Sequence, residues 1–233
     1  MDDWLVRKLV ELNTDFYVRF AAPFAASRSA PQPGFFSLLE DLPARPFSVL
    51  DVGCGNGRFG RFLHGAQRLD YYVGVDATQA LLDQIVDFDG ELHVRDISLP
   101  DSLRGLGRFD LVACLATLQH IPGQENRLRL LREMAAHLEP TGLLVLSNWQ
   151  FLNDSRQRRK IRPWALVDID PSQVEPNDYL LSWERGGSGI RYVAYLDEKA
   201  IEELTIAADL RIVKQFVRDG REGNLNLYTI LAS

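Results

Sequence analysis

Nine residues, Val49-Leu50-Asp51-Val52-Gly53-Cys54-Gly55-Asn56-Gly57, restrict what this chain can fold into more than any other stretch. Phe47, Val49, Leu50 and Val52 make a nearly continuous apolar run, the pattern of a short strand covered on both faces. Three alternating glycines follow. Glycine takes positive φ without a steric penalty and lets a ligand approach where a Cβ would block it. Phe59, Phe62 and Leu63 then recur at helical spacing, so a helix opens out of the turn. Strand, glycine turn and helix form the nucleotide-binding corner of a doubly wound α/β sheet.

The glycines alone do not choose the nucleotide. The dinucleotide fingerprint is Gly-x-Gly-x-x-Gly, with a pyrophosphate on the helix amides. Here the order is Asp-x-Gly-x-Gly-x-Gly, and Asp51 ends the strand at the site. A carboxylate there repels a pyrophosphate. It suits a ligand that has no phosphate and brings positive charge. S-adenosylmethionine, with its α-ammonium and sulfonium, is such a ligand. Tyr71-Tyr72-Val73-Gly74-Val75-Asp76 reads as a second strand ending in an acid. Asp76 stands 23 residues after Gly53, near the roughly 20-residue interval at which an acid reaches a ribose diol. The plainer reading of Asp51 or Asp76 is a helix N-cap with no ligand.

These motifs resemble the class I S-adenosylmethionine-dependent methyltransferases. Asp51 to Gly57 is similar to that superfamily's first motif and Asp76 to its ribose acid. Val94-Arg95-Asp96-Ile97 looks like its adenine-edge motif, and Phe109 to Cys114 like its fourth strand. The resemblance implies an α/β fold: a doubly wound, Rossmann-like sheet of seven mostly parallel strands with an antiparallel C-terminal hairpin strand. It implies S-adenosylmethionine as cofactor and S-adenosylhomocysteine as product. The cofactor contacts it implies are Asp51, Gly53, Cys54, Gly55, Asn56, Gly57, Asp76, Ala77, Asp96, Ile97, Leu115 and Tyr17. Asp96 would accept from the adenine amino group while the Ile97 amide donates to a ring nitrogen. The competing role for Asp96 is a turn aspartate.

Composition sets the limits around this corner. The 233 residues suffice for one domain with a substantial core. Hydrophobic content of 46% and charged content of 25% are ordinary for a globular protein. No apolar run approaches the roughly 18 residues of a membrane span. The first residues carry two acids and no basic-then-apolar block, so no secretory signal is expected and the chain reads as cytoplasmic. Two cysteines in separate motifs give no disulfide framework, and four scattered histidines suggest no metal site. A net charge of -6 is unlike the basic balance of most nucleic-acid binders, though it leaves room for a local basic patch.

Leu5, Leu9, Leu12, Phe16 and Phe20 predict an amphipathic N-terminal helix that Pro23 ends or kinks. Ser27 to Gly34 is loop chemistry, and Phe35 to Leu42 marks a short helix. The first 45 residues thus form a helical cap over a core at 46–149, all within a single domain. Leu81, Leu82, Ile85 and Val86 predict a helix, Glu91 to Arg95 the third strand, Asn126 to Leu138 a helix and Leu143 to Ser147 the fifth strand. The segment 150–190 reads as an insertion or substrate region. In it Asp178 to Trp183 and Ile190 to Leu196 predict a hairpin about Gly186-Gly187-Ser188-Gly189. Residues 191–233 complete the sheet, with Asp197 as a helix N-cap and two antiparallel strands, Leu210 to Val217 and Leu225 to Leu231.

A narrower resemblance spans most of the chain. Phe16-Tyr17-x-x-x-Ala21-x-x-Phe24-x-x-Ser27-Arg28-x-x-Pro31-x-Pro33 is similar to the start of the eukaryotic tRNA wobble-uridine carboxymethyl methyltransferases. So are Trp149 after the fifth strand, Arg191-Tyr192 before the last helix and Gly223-Asn224 before the final strand. The chain departs from that family at Gln119-His120, where the family has paired histidines, and at Leu225, where it has tryptophan. The resemblance implies tRNA as acceptor and a small zinc-containing activator protein as partner.

If the acceptor is a carboxymethyl carboxylate, it is ionised at neutral pH and needs no general base. It needs a cation or donor to orient it, and Arg28 and His120 are the candidates. Trp149 would stack on the base or wall the pocket. For an amine or hydroxyl acceptor, His120 would serve as base. Arg156, Arg158, Arg159 and Lys160, with Trp164 just beyond, suit phosphate contact plus base stacking; the competing reading is a solvated helix face. Two other functions stay open: a small-molecule methyltransferase with 150–190 as lid, and a non-catalytic cofactor-binding module that needs a partner.

Overall fold

The computed structural model describes residues 1–28 and 30–233; Ser29, in the predicted loop, lies outside the described residues. In chain order the elements are α1 (Asp3–Ala26), α2 (Pro33–Leu39), β1 (Phe47–Val52), α3 (Arg58–Gly65), β2 (Leu69–Asp76), α4 (Gln79–Leu82), β3 (Glu91–Val94), β4 (Phe109–Leu115), α5 (Gln124–Ala136) and β5 (Leu138–Trp149). The inserted segment adds α6 (Ser155–Arg158), β6 (Ile161–Arg162), β7 (Asp178–Trp183) and β8 (Gly189–Ala194). Then α7 (Glu198–Ala207), β9 (Arg211–Arg218) and β10 (Asn226–Ala232) close the chain. The main sheet has seven strands in the order β3-β2-β1-β4-β5-β10-β9. β1 to β5 pair in parallel, and β10 pairs antiparallel with both β5 and β9. This is the doubly wound, Rossmann-like sheet expected.

Successive strand residues face opposite ways, and both faces are covered. Val112 and Cys114 of β4 share one core with Leu130, Leu131 and Met134 of α5. Leu111 and Ala113 share the other with Phe35 of α2 and Phe59 of α3. That double coverage explains the unbroken apolar runs. The strand order reverses between β1 and β4, and the crevice at the carboxyl ends there is where such sheets bind ligands.

The cap helix α1 continues to Ala26 with non-helical φ/ψ of -110°/18° at Phe20. Pro23 has no N–H for the Arg19 carbonyl, and its ring crowds that carbonyl, so the helix bends three residues upstream of the proline. Two expectations are corrected. The helix predicted over Leu81 to Val86 is the single turn Gln79–Leu82, and Val86 is 79% exposed. Asp87, Asp89 and Gly90 follow at once and favour turns over a continued helix. The third strand also stops at Val94, because Asp96 is already in a turn. Asp197 caps α7 as expected, accepting from the Ala200 amide at 2.9 Å.

The insertion builds a second antiparallel sheet, β6-β7-β8. The hairpin of β7 and β8 was legible; the two-residue β6 was not. β8 crosses residue 190, so one strand joins the insertion to the C-terminal part. Among the described residues, no helix is long and apolar enough to cross a membrane.

Candidate active site

The glycine turn leaves β1 against the end of β2. The Gly53 and Cys54 amides both donate to the Val75 carbonyl, at 2.7 and 3.0 Å. Gly53 has φ of +72°, and a Cβ there would lie 2.2 Å from the Thr117 methyl. The Thr117 hydroxyl donates to the Gly53 carbonyl at 3.1 Å, which holds the Thr117 side chain against the turn. Gly55 differs: its φ is +58°, and a Cβ would meet nothing within 4 Å. The turn therefore presents bare backbone to open space, as a ligand cradle requires.

That space is a cavity with about 1110 Å³ of empty volume, open solvent included. Every predicted cofactor residue but Gly57 lines it, and so do Arg28, His120 and Trp149. Gly57 instead packs against Ile85 as α3 begins. Asp51 is buried on the cavity floor and accepts from the Tyr72 hydroxyl at 2.9 Å. Burial raises its carboxyl to about 7; the Tyr72 bond opposes that shift and the Asp76 charge adds to it. Asp76 accepts the Gly55 amide on one oxygen at 2.9 Å and the Thr78 amide on the other at 2.8 Å. Each oxygen keeps a lone pair for a ribose hydroxyl. Burial raises the Asp76 pKa as well, against those amide bonds. Asp96 fills the turn role through one oxygen, taking the Ser98 amide and hydroxyl at 2.9 and 2.6 Å. Its other oxygen has no partner among the described residues. An acid floor, a carboxylate with a lone pair free on each oxygen and an open glycine cradle fit S-adenosylmethionine.

A pH effect follows from Asp51. Its ordinary pKa of 3.8 becomes about 7 on folding. Between those values the folded chain holds the extra proton, so this group's stabilising contribution is complete below 3.8 and lost as pH rises through about 7. A ligand that sets an ammonium group near Asp51 favours the ionised carboxyl and binds better as pH rises. We expect the affinity for S-adenosylhomocysteine to rise up to about tenfold per pH unit, then level off above the folded pKa. Calorimetric titration across that range checks this, and Asp51→Asn should flatten the profile.

The far wall carries a different chemistry. His120 is half-buried, with Nδ1 3.0 Å from the Tyr192 carbonyl and Nε2 3.0 Å from the Tyr17 hydroxyl. A carbonyl only accepts, so Nδ1 carries the proton and Nε2 accepts from Tyr17. Burial, reinforced by the Arg191 charge, pulls the pKa of His120 down to about 3. The ring is neutral and its Nδ1 proton already goes to Tyr192, so of the expected roles of cation or donor to an acceptor neither is free at His120. Positive charge comes from Arg28 and Arg191. Arg28 donates to the Ser27 hydroxyl at 3.0 Å and lies 3.6 Å from the Phe24 ring centroid. Burial and then the Arg191 charge pull its pKa down to about 9. Arg191 stacks over Trp149 at 4.4 Å, and its Nη1 is 3.4 Å from the Tyr17 oxygen. Burial lowers its pKa too, and its Nε has no partner. Neither arginine pairs with a carboxylate among the described residues.

The basic run lies elsewhere. Arg156, Arg158 and Arg159 are exposed on and beside α6, Lys160 and Trp164 are half-buried, and none of the five lines the cavity. Arg191 and Asn13 were missed as site residues. Asn13 had a signal: it sits four residues after Leu9 and three before Phe16, on the apolar stripe of α1.

A family model described as a methyltransferase domain matches residues 9–215. A tRNA (carboxymethyluridine(34)-5-O)-methyltransferase of Arabidopsis thaliana is 28% identical over 134 residues, 57% of this chain and 31% of that protein. A ubiquinone biosynthesis O-methyltransferase of Haemophilus ducreyi is 31% identical over 108 residues, 42% of this chain and 44% of that protein. The matches thus span less than half the length of either relative. The fold is shared with an S-adenosylmethionine-bound amino pentose methyltransferase of Micromonospora echinaspora, at a TM-score of 0.61 and 18% identity, over 88% of this chain and 94% of that one.

Proposed function

This chain belongs to the methyltransferase-domain family, and from that premise we propose that it methylates a carboxylate oxygen of an anionic acceptor, a carboxymethyl uridine in tRNA. One observation carries the carboxylate reading: the acceptor side has two arginines, Arg191 buried and Arg28 half-buried, with no carboxylate partner among the described residues, and a histidine too weakly basic to take a proton. An amine or hydroxyl acceptor needs a base there; a carboxylate needs only a cation to hold it. When bound, S-adenosylmethionine supplies an electrophilic methyl group, whose transfer to a carboxylate oxygen leaves the C–S electron pair on sulfur and moves no proton. The chain's part is to orient and to exclude water. Asp51, Asp76, Asp96 and the Gly53–Gly55 backbone hold the cofactor. Arg28 meets the carboxylate, and Arg191 adds charge from behind Tyr17 and Trp149. Trp149 walls the site, held by its amide donating to Gln119 Oε1 at 2.9 Å.

The Arabidopsis relative's name supports the nucleoside. The distance of the basic run from the cavity lining supports a second reading, a small carboxylic acid. The deciding experiment uses methyl-labelled S-adenosylmethionine, purified chain and total tRNA from its own source. Label that enters tRNA and leaves in mild base is a methyl ester and supports the proposal. Label that resists base moves the chemistry to another atom. No label, from protein that binds the cofactor, overturns the tRNA reading and leaves a small carboxylic acid as the acceptor.

If tRNA is the acceptor, its phosphates run over α6. Arg158→Glu with Arg159→Glu should then weaken tRNA binding and lower the salt slope of log affinity by about 1.4 to 1.8. Cofactor affinity should not change. An unaltered slope removes the basic run from the acceptor path.

A further inference from the structure

β8 is the edge strand of the insertion sheet, and it carries Arg191. Its pairing with β7 sets Tyr192 opposite Leu180. The Tyr192 amide and carbonyl therefore point away from β7, toward the cap helix, where an edge strand would leave them unpaired. Asn13 of α1 takes both. Its Oδ1 accepts from the Tyr192 amide at 2.8 Å, and its Nδ2 donates to the Tyr192 carbonyl at 3.2 Å. The second Nδ2 proton goes to the His120 carbonyl at 3.2 Å. Asn13 is 6% exposed, and these bonds satisfy its whole carboxamide. The side chain acts as one more peptide unit at the edge of the sheet.

The consequences run through the site. The same Tyr192 carbonyl accepts the His120 Nδ1 proton, which leaves Nε2 bare to accept from Tyr17. The Tyr17 oxygen in turn faces Arg191, the residue next to Tyr192. One carboxamide thus fixes the strand that aims Arg191, the loop that carries His120 and the tautomer of its ring. We infer that Asn13 is the positioning residue of the acceptor side, holding Arg191, Tyr17 and His120 in one arrangement. Its effect on acceptor binding rests on the carboxylate reading above; the clamp itself does not.

The test records nitrogen NMR spectra of the histidine rings in the full chain labelled with 15N-histidine, without acceptor. His120 of the wild type should show a protonated Nδ1, a bare Nε2 and no titration between about pH 5 and 8. The charged and titratable groups around that ring are Arg191, Arg28, Tyr17 and Tyr192. In Asn13→Ala the ring should populate both tautomers and begin to titrate in that range. Acceptor turnover, kcat/KM, should fall by up to about a hundredfold, with cofactor affinity much less affected. Should Asn13→Ala not fold, Asn13→Asp, which keeps the shape and removes both donors, carries the same comparison. A folded variant with the wild-type ring spectrum overturns the inference. A wild type that labels no tRNA overturns the tRNA reading alone, because the spectra need no acceptor.

Discussion

Arg28→Met is expected to cut methylation of a carboxylate acceptor by about a hundredfold to a thousandfold, to leave cofactor affinity nearly unchanged and to make the protein more stable by about 1 kcal/mol. The two effects have one cause. Arg28 is half-buried against Phe24 with a hydroxyl for a partner and, among the described residues, no carboxylate. Its pKa, pulled down to about 9 by burial and then by Arg191, records the cost of keeping the charge there. Because the folded value lies below the unfolded one, the folded chain gives up that proton more readily. The penalty is therefore fully present at neutral pH and lifts only as pH climbs past about 9. Methionine fills similar volume without the charge, so the penalty goes. The binding site for an anion goes with it, since a cation already desolvated and preoriented interacts more strongly with a carboxylate than a solvated one does. Arg191→Met should act in the same direction and more weakly, because Arg191 stands behind the cavity lining. Single-turnover methylation, calorimetry with S-adenosylhomocysteine and thermal denaturation separate the three quantities. A loss that appears in cofactor affinity instead would assign Arg28 to the amino-acid end of the cofactor.

The half of the cavity proposed to hold the cofactor was legible, and the half proposed to meet the acceptor mostly was not. Asp51, Gly53, Gly55 and Asp76 lie on one strand, its turn and the end of the next strand, so spacing along the chain fixes their spacing in space. The apolar runs around them announce the sheet that presents them. Arg191 has no such local context. In the sequence it is a charged residue in an alternating strand, which normally means the solvent side. It is buried because α1, far away in the chain, packs Phe16 against it. Asn13 is hidden by the complementary ambiguity: a polar residue on an apolar helix stripe looks like a flaw until the strand edge it completes is known. The neutral state of His120 was not legible, since nothing in Leu118-Gln119-His120-Ile121 announces that a carbonyl from β8 will accept its Nδ1 proton.

Asp76→Leu should lower cofactor affinity by about a hundredfold or more, the product of two hydrogen bonds from a diol to a charged acceptor at roughly 1.5 to 3 kcal/mol each. Asp76 does more than receive a ligand. Its two oxygens tie the Gly55 amide to the Thr78 amide, so one carboxylate joins the glycine turn to the start of α4. Leucine leaves both amides without that acceptor, and the turn loses the conformation that opens Gly55 to the cavity. The ligand and bracing contributions can be separated. Asp76→Asn keeps the shape and one carbonyl oxygen but sets an NH2 group against one of the two amides. It should therefore disturb the turn and weaken the ribose contact together. Adenosine, which has the diol but no amino-acid end, isolates the ribose contact. If Asp76 binds the diol, adenosine and S-adenosylhomocysteine should lose affinity by the same factor in Asp76→Leu. A loss confined to S-adenosylhomocysteine would mean that Asp76 braces the turn beneath the amino-acid end and that another group holds the ribose.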